Sequence, residues 1–281
     1  MMKIIREKNK LRKTVLDLKR RGKKIAFVPT MGALHKGHIA LIERARKAGD
    51  VLVLSIFVNP LQFGPNEDFN SYPGRLRDDT AIARGKGVDI VFIPSVEELY
   101  GSSYSTIINE VDLSAGLCGA CRPGHFSGVA TIVGKLFNIV MPDVAVFGQK
   151  DYQQYKVIER MVEDLDLPVR LIMVKTVLDK DGLALSSRNK YLTRADRKKA
   201  LSIRKALSEA ASEVSGGRDN NGVARRIKEK LNRSGIRKID YVSVLNKDTL
   251  QKPAKKDKGI LVAAAVRIGK TRLIDNVIVN K

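Results

Sequence analysis

The first 175 residues alternate short apolar runs of strand length with amphipathic segments of helix length. Runs of six to eight residues rich in Val, Ile and Phe, bounded by Pro, Gly or Asp, predict buried strands. The strands are predicted at residues 24–30, 51–58, 89–94, 143–148 and 169–174. The helices are predicted before Gly22 and at residues 37–48, 75–86, 129–140 and 152–165. This alternation predicts an α/β fold with a mostly parallel, Rossmann-like sheet covered by helices on both faces.

The pattern changes after Asn189, where two charged helices precede further strands. These helices are predicted at residues 194–214 and 222–232, and the strands near residues 240–245 and 259–267. The order predicts a smaller α+β domain, and 281 residues suffice for two unequal domains. We therefore expect a Rossmann-like domain at residues 1–182 and a smaller C-terminal domain at residues 183–281.

Composition excludes several classes of protein. No apolar run approaches the roughly 20 residues that cross a bilayer, and the basic N-terminus lacks the apolar core of a secretory signal. We therefore expect a cytoplasmic protein without a membrane partner. The 52 Lys and Arg residues against 30 Asp and Glu residues give a net charge of +22, which fits either a polyanion partner or the steering of phosphate-bearing ligands. Because no aromatic residues are interleaved with these charges for base stacking, nucleic-acid binding is the lesser alternative and we expect no such partner.

Two of the three histidines lie in residues 29–38 (PTMGALHKGH), between the first long strand and a helix. Gly32 and Gly37 permit tight turns and the close approach of a phosphate, and the helix N-terminus offers unpaired N–H groups to an anion. Because they are spaced i, i+3, His35 and His38 can face one bound group and donate to a phosphoryl group under attack. The alternative is that the pair only caps or packs the start of the helix.

This spacing resembles the HxGH signature of nucleotidylyltransferases and class I aminoacyl-tRNA synthetases, which bind ATP and direct attack at its α-phosphate. The longer string PTMGALHKGH resembles the pantoate–β-alanine ligase family, and further strings resemble that family in the same order. They are SIFVNPLQFG at 55–64, RPGHFSGV at 122–129, VFGQKDYQQ at 146–154, LALSSRNKY at 183–191 and IGKTRLIDN at 268–276. The resemblance therefore spans almost the full chain.

The resemblance implies an ATP-dependent, amide-forming ligase that makes pantothenate, a coenzyme A precursor. A carboxylate must be activated before an amine can displace its oxygen. The family resemblance implies that pantoate attacks the α-phosphorus of ATP to give a pantoyl adenylate and pyrophosphate, and that β-alanine then displaces AMP. It also implies a homodimer, with a smaller domain that covers the site. The rivals are a nucleotidylyltransferase that stops at an adenylated product and a basic nucleic-acid binder.

The resemblance also implies roles for residues that bind ATP. His38 is predicted to donate to the phosphates, with His35 beside it, and Lys150 to hold the pantoate carboxylate and the α-phosphate together. Arg188 is the fourth predicted catalytic residue, and with its neighbouring serines it matches the departing pyrophosphate. The residues predicted to bind ATP are Met31, Gly32, Ala33, Leu34, His35, Lys36, Gly37, His38, Gly148, Gln149, Lys150, Asp151, Val177, Leu185, Ser186, Ser187 and Arg188. For Lys150 and Asp151, the alternative is an exposed ion pair at the start of a helix.

The remaining assignments concern the other substrates and the metal. Gln62 and Gln154 are predicted to contact pantoate, since an amide both donates and accepts. The candidates for β-alanine are Asn59, Tyr72, Arg122 and His125. Mg²⁺ is expected to neutralise the β- and γ-phosphate oxygens, and Asp78 and Asp79 are the family-matched ligands, although adjacent acids are also ordinary on an exposed helix.

Some features depart from the family pattern or imitate other motifs. The family usually has arginine directly after Tyr-Pro, whereas this chain has Gly74 there and the arginine one position later, at Arg75. Leu185 stands where the family usually has methionine. Cys118 and Cys121 form a C-x-x-C motif, but without a fourth nearby ligand we favour two reduced loop cysteines over a zinc or redox site. The string Gly-Lys-Thr at 269–271 imitates the end of a phosphate-binding loop, but Ala264 stands where that loop requires a glycine five residues earlier. We therefore expect a structural tail.

Overall fold

The computed structural model describes residues 1–65, 67–216 and 220–280, without the side chain of residue 221. The chain forms two compact units. The main unit comprises Met1–Asp112, Arg122–Gly148 and Gln154–Lys175, and the tail unit comprises Leu113–Cys121, Gln149–Gln153 and Thr176–Lys281. The expected division between residues 182 and 183 stays a prediction.

The main unit contains a parallel sheet of six strands within the described residues. The strands are β1 (Lys3–Ile5), β2 (Ile25–Thr30), β3 (Val51–Ile56), β4 (Ile90–Phe92), β5 (Val144–Gly148) and β6 (Arg170–Val174). Their order is β1-β4-β3-β2-β5-β6, with every neighbouring pair parallel. The predicted α/β class with a Rossmann-like parallel sheet is confirmed. The sequence did not predict β1, because three residues are too few to carry a periodic pattern.

Helices cover both faces of this sheet. They are α1 (Lys8–Arg20), α2 (Lys36–Arg46), α3 (Leu76–Gly85), α4 (Val96–Tyr100), α6 (His125–Val140) and α7 (Tyr152–Asp164), whereas α5 (Leu117–Cys121) belongs to the tail unit. On one face, Val28 and Leu54 of the sheet share a core with Ile42 of α2. On the other face, Phe27 meets Phe137 of α6 edge to face at 6.4 Å. Strands buried on both faces are apolar without interruption, which explains why their sequences were recognisable.

The tail unit contains an antiparallel sheet in the order β7-β8-β9, with β7 at Lys238–Asn246, β8 at Gly259–Ile268 and β9 at Thr271–Asn280. Helices α8 (Arg194–Ser215) and α9 (Asn220–Arg233) pack on it through buried aliphatic side chains such as Leu207 and Ile227. The predicted α+β character is confirmed. The sequence did not predict β9, which takes up the expected structural tail.

The predicted helix at 129–140 begins four residues earlier, at His125, after Gly124 in the left-handed region at φ 77°. Within the described ranges, no helix is long and apolar enough to cross a membrane.

Candidate active site

The sheet order places a switch point beside β2, whose neighbours are β3 on one side and β5 on the other. In open parallel sheets of this kind, ligands bind where the strand order reverses, outside the carboxyl ends of the strands. Residues 31–38, here called the histidine loop, follow β2 at this edge of the sheet. The predicted nucleotide motif is therefore at the position that the topology favours for a ligand.

The two histidine side chains of this loop cap α2 through their Nδ1 atoms. The backbone N–H of Gly37 donates to His35 Nδ1 at 3.1 Å, and the backbone N–H of His35 donates to His38 Nδ1 at 3.3 Å. The rings lie against each other with centroids 4.1 Å apart. Lys36 is the first residue of α2 and is exposed. The cap that sequence reasoning left as an alternative is present.

The cap also fixes the chemistry of the rings. A ring nitrogen that accepts a hydrogen bond from a backbone N–H carries no proton, so in each neutral imidazole the proton lies on Nε2. Capping and donation are therefore compatible functions of the same side chain. The backbone uses Nδ1 as an acceptor, and Nε2 is the atom that can donate to a phosphate oxygen.

Asp79 of α3 holds the first half of the histidine loop. Its Oδ2 accepts from the N–H of Ala33 at 2.9 Å, and its Oδ1 accepts from the N–H of Leu34 at 2.7 Å. Gly32 and Ala33 both have positive φ, at 85° and 51°, and a Cβ on Gly32 would lie 2.9 Å from Asp79 Oδ2. A left-handed alanine costs about 1 kcal/mol or more, and these two hydrogen bonds offset that strain.

The predicted metal ligands Asp78 and Asp79 have different surroundings. Asp79 is 2% exposed and uses both oxygens on the histidine loop, whereas the Asp78 side chain is exposed and lies 3.7 Å from Arg75. Successive helical residues point about 100° apart. In the part of the chain that the structure describes, no three His, Cys, Asp or Glu side chains are grouped to hold a metal ion. Of the two predicted ligands, only Asp78 has carboxylate oxygens that are not both engaged by the backbone of the histidine loop.

Gln62 lies in a short 3-10 helix, Pro60–Gln62, after β3. Its Nε2 lies 3.0 Å from Met31 Sδ, and its Oε1 accepts from Asn59 Nδ2 at 3.3 Å. Asn59 is buried and also donates to the carbonyl of Gly128 at 3.0 Å and accepts from the hydroxyl of Tyr100 at 2.6 Å. The structure thus brings the predicted residues Met31, Asn59 and Gln62 together.

Gly128 is required for this arrangement. A Cβ at Gly128 of α6 would clash with the carbonyl oxygen of Leu61 and would lie 2.6 Å from the nitrogen of Gln62. Only a glycine permits this approach of a helix to the backbone of the 3-10 helix.

Arg122 and His125, at the start of α6, are tied to residues 62–67. Arg122 donates from Nε to Glu67 Oε1 and from Nη2 to Glu67 Oε2, both at 2.6 Å. Its Nη1 lies 2.8 Å from His125 Nε2, and His125 Nδ1 lies 2.8 Å from the carbonyl oxygen of Gln62. Because a guanidinium only donates and a carbonyl only accepts, His125 accepts at Nε2 and carries its proton on Nδ1. The lone pair of His125 is therefore engaged with Arg122.

Tyr72 lies in the loop that carries Glu67, with its ring 6.1 Å from that of Phe63. After it, Gly74 donates its N–H to the Tyr72 carbonyl at 2.7 Å, and Arg75 forms the N-cap of α3. Arg75, the arginine displaced by one position relative to the family pattern, is exposed and lies next to Asp78.

In the tail unit, residues 149–151, here called the lysine segment, form a 3-10 helix just after β5. Asn276 of β9 holds this segment, because its Nδ2 donates to the carbonyls of Gln149 at 3.0 Å and Lys150 at 2.9 Å. Gln149 Nε2 returns a bond to Asn276 Oδ1 at 3.2 Å. Lys150 Nζ lies 3.4 Å from Asp151 Oδ1, so the ion pair left as an alternative is present but long.

Asp275 supports the same strand. It is buried and accepts from Arg204 Nη1 at 3.2 Å, while Arg204 also donates to the carbonyl of Asn276 at 2.9 Å. Burial raises the pKa of Asp275, and the charges of Arg204 and Lys150 only partly offset this effect. A small cavity lined by Asp275, Lys150 and Ser186 adjoins this pair.

The predicted residues after β6 form a hairpin-like turn in the tail unit. The N–H of Leu185 donates to the carbonyl of Val177 at 3.0 Å, so these two predicted ATP-binding residues are neighbours. Ser186 caps a 3-10 helix, Ser187–Tyr191, by accepting from the N–H of Arg188 at 3.3 Å. Ser187 is buried, and Arg188 is half-buried.

Gln154 and Gly148 belong to the main unit. Gln154 lies in the first turn of α7 and is half-buried, and Gly148 ends β5.

Cys118 and Cys121 are both free thiols, but the prediction that they lie in a loop is wrong, because both lie on the short helix α5 in the tail unit. Cys118 Sγ lies 3.2 Å from the hydroxyl of Tyr241 and 3.5 Å from Arg272 Nη2. Burial raises the pKa of Cys121 and also that of Tyr241. The motif therefore has a packed polar environment.

A family model for pantoate-beta-alanine ligase matches residues 3–278. The chain belongs to the pantoate–β-alanine ligase family. The family predicted from the string PTMGALHKGH is thus confirmed. As a member of this family, the chain is an ATP-dependent ligase that condenses pantoate with β-alanine in pantothenate biosynthesis.

Individual family members are similar over nearly their whole length. The chain is 52% identical to pantothenate synthetase from Moorella thermoacetica over 270 residues, with 95% of each chain covered. It is 48% identical to pantothenate synthetase from Fervidobacterium nodosum, with 99% of this chain and 100% of the relative covered. The crystal structure of pantothenate synthetase from Thermus thermophilus has a TM-score of 0.93 at 42% identity, with 98% of this chain and 99% of the other covered. Pantoate-beta-alanine ligase from Francisella tularensis, described as complexed with beta-gamma ATP and β-alanine, has a TM-score of 0.82 at 36% identity, with 99% and 97% covered.

Sequence reasoning did not single out three side chains that organise these regions, namely Glu67, Arg204 and Asn276. Asn276 lay within a string that resembles the family, IGKTRLIDN, but that string was interpreted only as a structural tail. Glu67 and Arg204 carried no signal, because a charged residue in a loop or on a helix is ordinary.

Proposed function

We propose that the condensation proceeds in two steps, through a pantoyl adenylate, with release of pyrophosphate and then of AMP. The observation that carries this proposal is the histidine cap, in which both Nδ1 atoms accept backbone N–H groups and both protons are left on Nε2. Two oriented neutral donors at a helix N-terminus suit a phosphoryl group on which negative charge grows.

In the first step, the pantoate carboxylate attacks the α-phosphorus and the bond to pyrophosphate breaks. His38 donates from Nε2 to the phosphate oxygens, with His35 beside it. Lys150 supplies a positive charge that offsets the repulsion between the carboxylate and the α-phosphate. Arg188 binds the departing pyrophosphate with its planar set of donors. The step depends mainly on orientation and on stabilisation of the anion.

ATP binding uses three segments. The histidine loop, including Met31, Lys36 and the N–H groups that follow Gly32, binds the phosphates. Gly148 and Asp151 are matched to the ribose and Val177 to the adenine, and Gln149 lies in the same ATP-binding segment as Gly148. Ser186 and Ser187, together with Arg188, are matched to the departing pyrophosphate, and Leu185 precedes them in the same ATP-binding segment. The cap that Ser186 provides to the N–H of Arg188 supports this role, since it orders the loop that carries the arginine.

In the second step, the amine of β-alanine attacks the carbonyl of the adenylate and expels AMP. Gln62 and Gln154 bind pantoate through their amides, and the contact of Gln62 with Met31 supports this assignment. Asn59 acts through Gln62, because its own amide bonds within the protein. Arg122, His125 and Tyr72 are assigned to β-alanine.

A bound magnesium ion would supply charge neutralisation for the phosphates of ATP. Asp78 is the carboxylate proposed to hold it, while the exposure of Asp78 and the burial of Asp79 support a site made mostly by the nucleotide and water.

The test follows AMP and pyrophosphate after incubation with ATP, magnesium and pantoate, with and without β-alanine. We expect pantoate alone to support exchange of labelled pyrophosphate into ATP, and β-alanine to be needed for net AMP release. An adenylated product that β-alanine does not consume would instead favour a nucleotidylyltransferase. Salt-dependent binding to a duplex, without release of pyrophosphate, would favour a nucleic-acid binder.

We further propose a homodimer in the cytoplasm, with the expected domains at residues 1–182 and 183–281 closing on ATP and pantoate. Light scattering after size exclusion tests the dimer, and an unchanged small-angle scattering profile on addition of both substrates would contradict closure.

A further inference from the structure

Arg122 is surrounded by hydrogen-bond acceptors of the protein itself. Its side chain is 12% exposed, and that of Glu67 is 23% exposed. Nε and Nη2 form a bidentate salt bridge with the Glu67 carboxylate. Nη1 donates to His125, and Nη2 also donates to the carbonyl of Gln62 at 3.4 Å. A guanidinium can bind a carboxylate with two parallel hydrogen bonds at its Nε/Nη2 edge or its Nη1/Nη2 edge. Here Glu67 occupies the first edge, and His125 and the Gln62 carbonyl accept from the second.

This inference rests on the function proposed above, which assigns Arg122 to β-alanine, and a guanidinium suits the carboxylate of that substrate. We infer that Glu67 is an internal substitute for the substrate carboxylate, and that β-alanine binds at Arg122 by displacing Glu67. Glu67 is therefore a specificity-determining residue for the second substrate, and it acts through Arg122.

The electrostatics of the pair favour exchange over addition. A largely buried guanidinium without a partner is costly, so the protein gains by pairing Arg122 while the substrate is absent. Two carboxylates on one edge of a guanidinium repel each other, so Glu67 and a substrate carboxylate exclude one another. Burial by itself raises the pKa of Glu67, but the hydrogen bond and the charge of Arg122 lower it. The pKa of Glu67 therefore lies below its ordinary value. Glu67 is thus ionised at neutral pH and competes as a carboxylate.

The position of Glu67 suits a side chain that leaves and returns. It lies in the loop between the 3-10 helix Pro60–Gln62 and α3, and its Oε2 also accepts from the N–H of Gly64 at 3.3 Å. Arg122 lies next to α6 and keeps the contact with His125 when Glu67 departs. Arg122 and Glu67 therefore lie on different segments, so Glu67 can move away from Arg122 while Arg122 stays in place.

The experiment is Glu67→Gln, with steady-state KM measured for each substrate. An amide binds a guanidinium more weakly than a carboxylate does, so we expect the KM for β-alanine to fall about fivefold, with the KM values for ATP and pantoate unchanged. Propionate, which has the carboxylate and lacks the amine, should inhibit Glu67→Gln at about fivefold lower concentration than it inhibits the parent protein. Glu43→Gln is the matched control, because it also removes a carboxylate from an ion pair, with Lys86 at 2.7 Å, and should leave every KM unchanged.

An unchanged or raised KM for β-alanine in an active Glu67→Gln protein would overturn the inference, since Glu67 would then only orient Arg122. If Glu67→Gln does not fold, Glu67→Asp gives the same test, because its shorter side chain cannot make both contacts. Failure of the parent protein to release AMP on addition of β-alanine would contradict the proposed function itself, which is a separate result.

Discussion

The histidine loop presents backbone N–H groups to a buried carboxylate, whereas the lysine segment presents backbone carbonyls to a buried amide. Asp79 accepts from Ala33 and Leu34, and Asn276 donates to Gln149 and Lys150. In both regions, a single side chain from a distant part of the sequence fixes a short turn that carries a proposed catalytic residue. The chemistry of the holding side chain follows from the polarity of the backbone it must satisfy. This comparison predicts that opposite substitutions destabilise the two holding side chains, carboxylate to amide at Asp79 and amide to carboxylate at Asn276.

The largest expected effects are at the residues that the two turns carry. Replacing His38 or Lys150 with Ala should each lower the rate of AMP formation by about 10²-fold or more, if each stabilises phosphoryl charge. Lys86→Ala, which removes an exposed lysine paired with Glu43, is the control and should leave the rate unchanged. A loss of rate in only one of the two variants would show that the histidine loop and the lysine segment do not contribute alike to the reaction.

The next effect is on stability, at the two holders. Asp79→Asn keeps the shape but turns one acceptor into a donor that faces a backbone N–H, at a cost of about 1–3 kcal/mol in unfolding free energy. Asn276→Asp removes the donor from two carbonyls and adds a charge beside Asp275, at about 2–4 kcal/mol. Denaturant titration measures both.

Asp78→Asn is the matched control for the first holder, since it changes the adjacent, exposed carboxylate. It should stay within about 0.5 kcal/mol of the parent protein. Equal destabilisation by Asp78→Asn and Asp79→Asn would show that backbone polarity does not explain the role of Asp79.

A smaller effect is expected at Gly32, where the histidine loop needs a positive φ and room for Asp79. Gly32→Ala should cost about 1–2 kcal/mol and raise the KM for ATP, because the new Cβ would lie 2.9 Å from Asp79 Oδ2. Gly74→Ala serves as the control, because its Cβ would meet nothing within 4 Å. Thermal unfolding and ATP kinetics of the two variants check this difference.

The smallest effect is a difference in the sign of pH dependence between the units. In the main unit, burial raises the pKa of Asp143, but the bonds from Lys19 and from the N–H of Ile25 lower it below 3.8 overall. Its contribution to stability is present above that value and is lost as pH falls through its folded pKa. In the tail unit, the pKa of Asp275 is raised, so its contribution becomes less favourable as pH rises through the range from 3.8 to its folded pKa.

Unfolding free energies of the parent, Asp143→Asn and Asp275→Asn proteins, from about pH 7 to about pH 3, measure this difference. The advantage of the parent over Asp143→Asn should shrink towards acid, and its standing against Asp275→Asn should improve. Slopes of the same sign would contradict the assignment.

The sequence predicted the parts of the fold whose signal is local. Strands such as β2 and β5 are buried on both faces and are apolar without interruption, and α2 follows a segment with capping residues and glycines. The sequence did not predict β1, which is too short to show a periodic pattern. It also did not predict β9, whose residues we interpreted only as a structural tail after a string that imitates a phosphate-binding loop.

The same distinction applies to the candidate site. The histidine loop and the lysine segment were predicted, because glycines, histidines and a lysine cluster just after strands. The holding partners are 45 to 127 residues away in the chain, and their roles depend on which backbone groups they face, as for Asp79 and Asn276. A composition or spacing rule does not contain that information. The ion pair of Glu67 with Arg122 belongs to the same class, since its members are 55 residues apart.

The absence of a side chain at Gly128 lets the core helix α6 lie directly against the main chain that carries Gln62. Since Gln62 is proposed to bind pantoate, the depth of that proposed pocket depends on how this helix packs on the sheet, through interior residues such as Phe137. Enlarging or shrinking a side chain in that interior is therefore expected to alter which hydroxy acids the enzyme accepts, without any change at Gln62 itself.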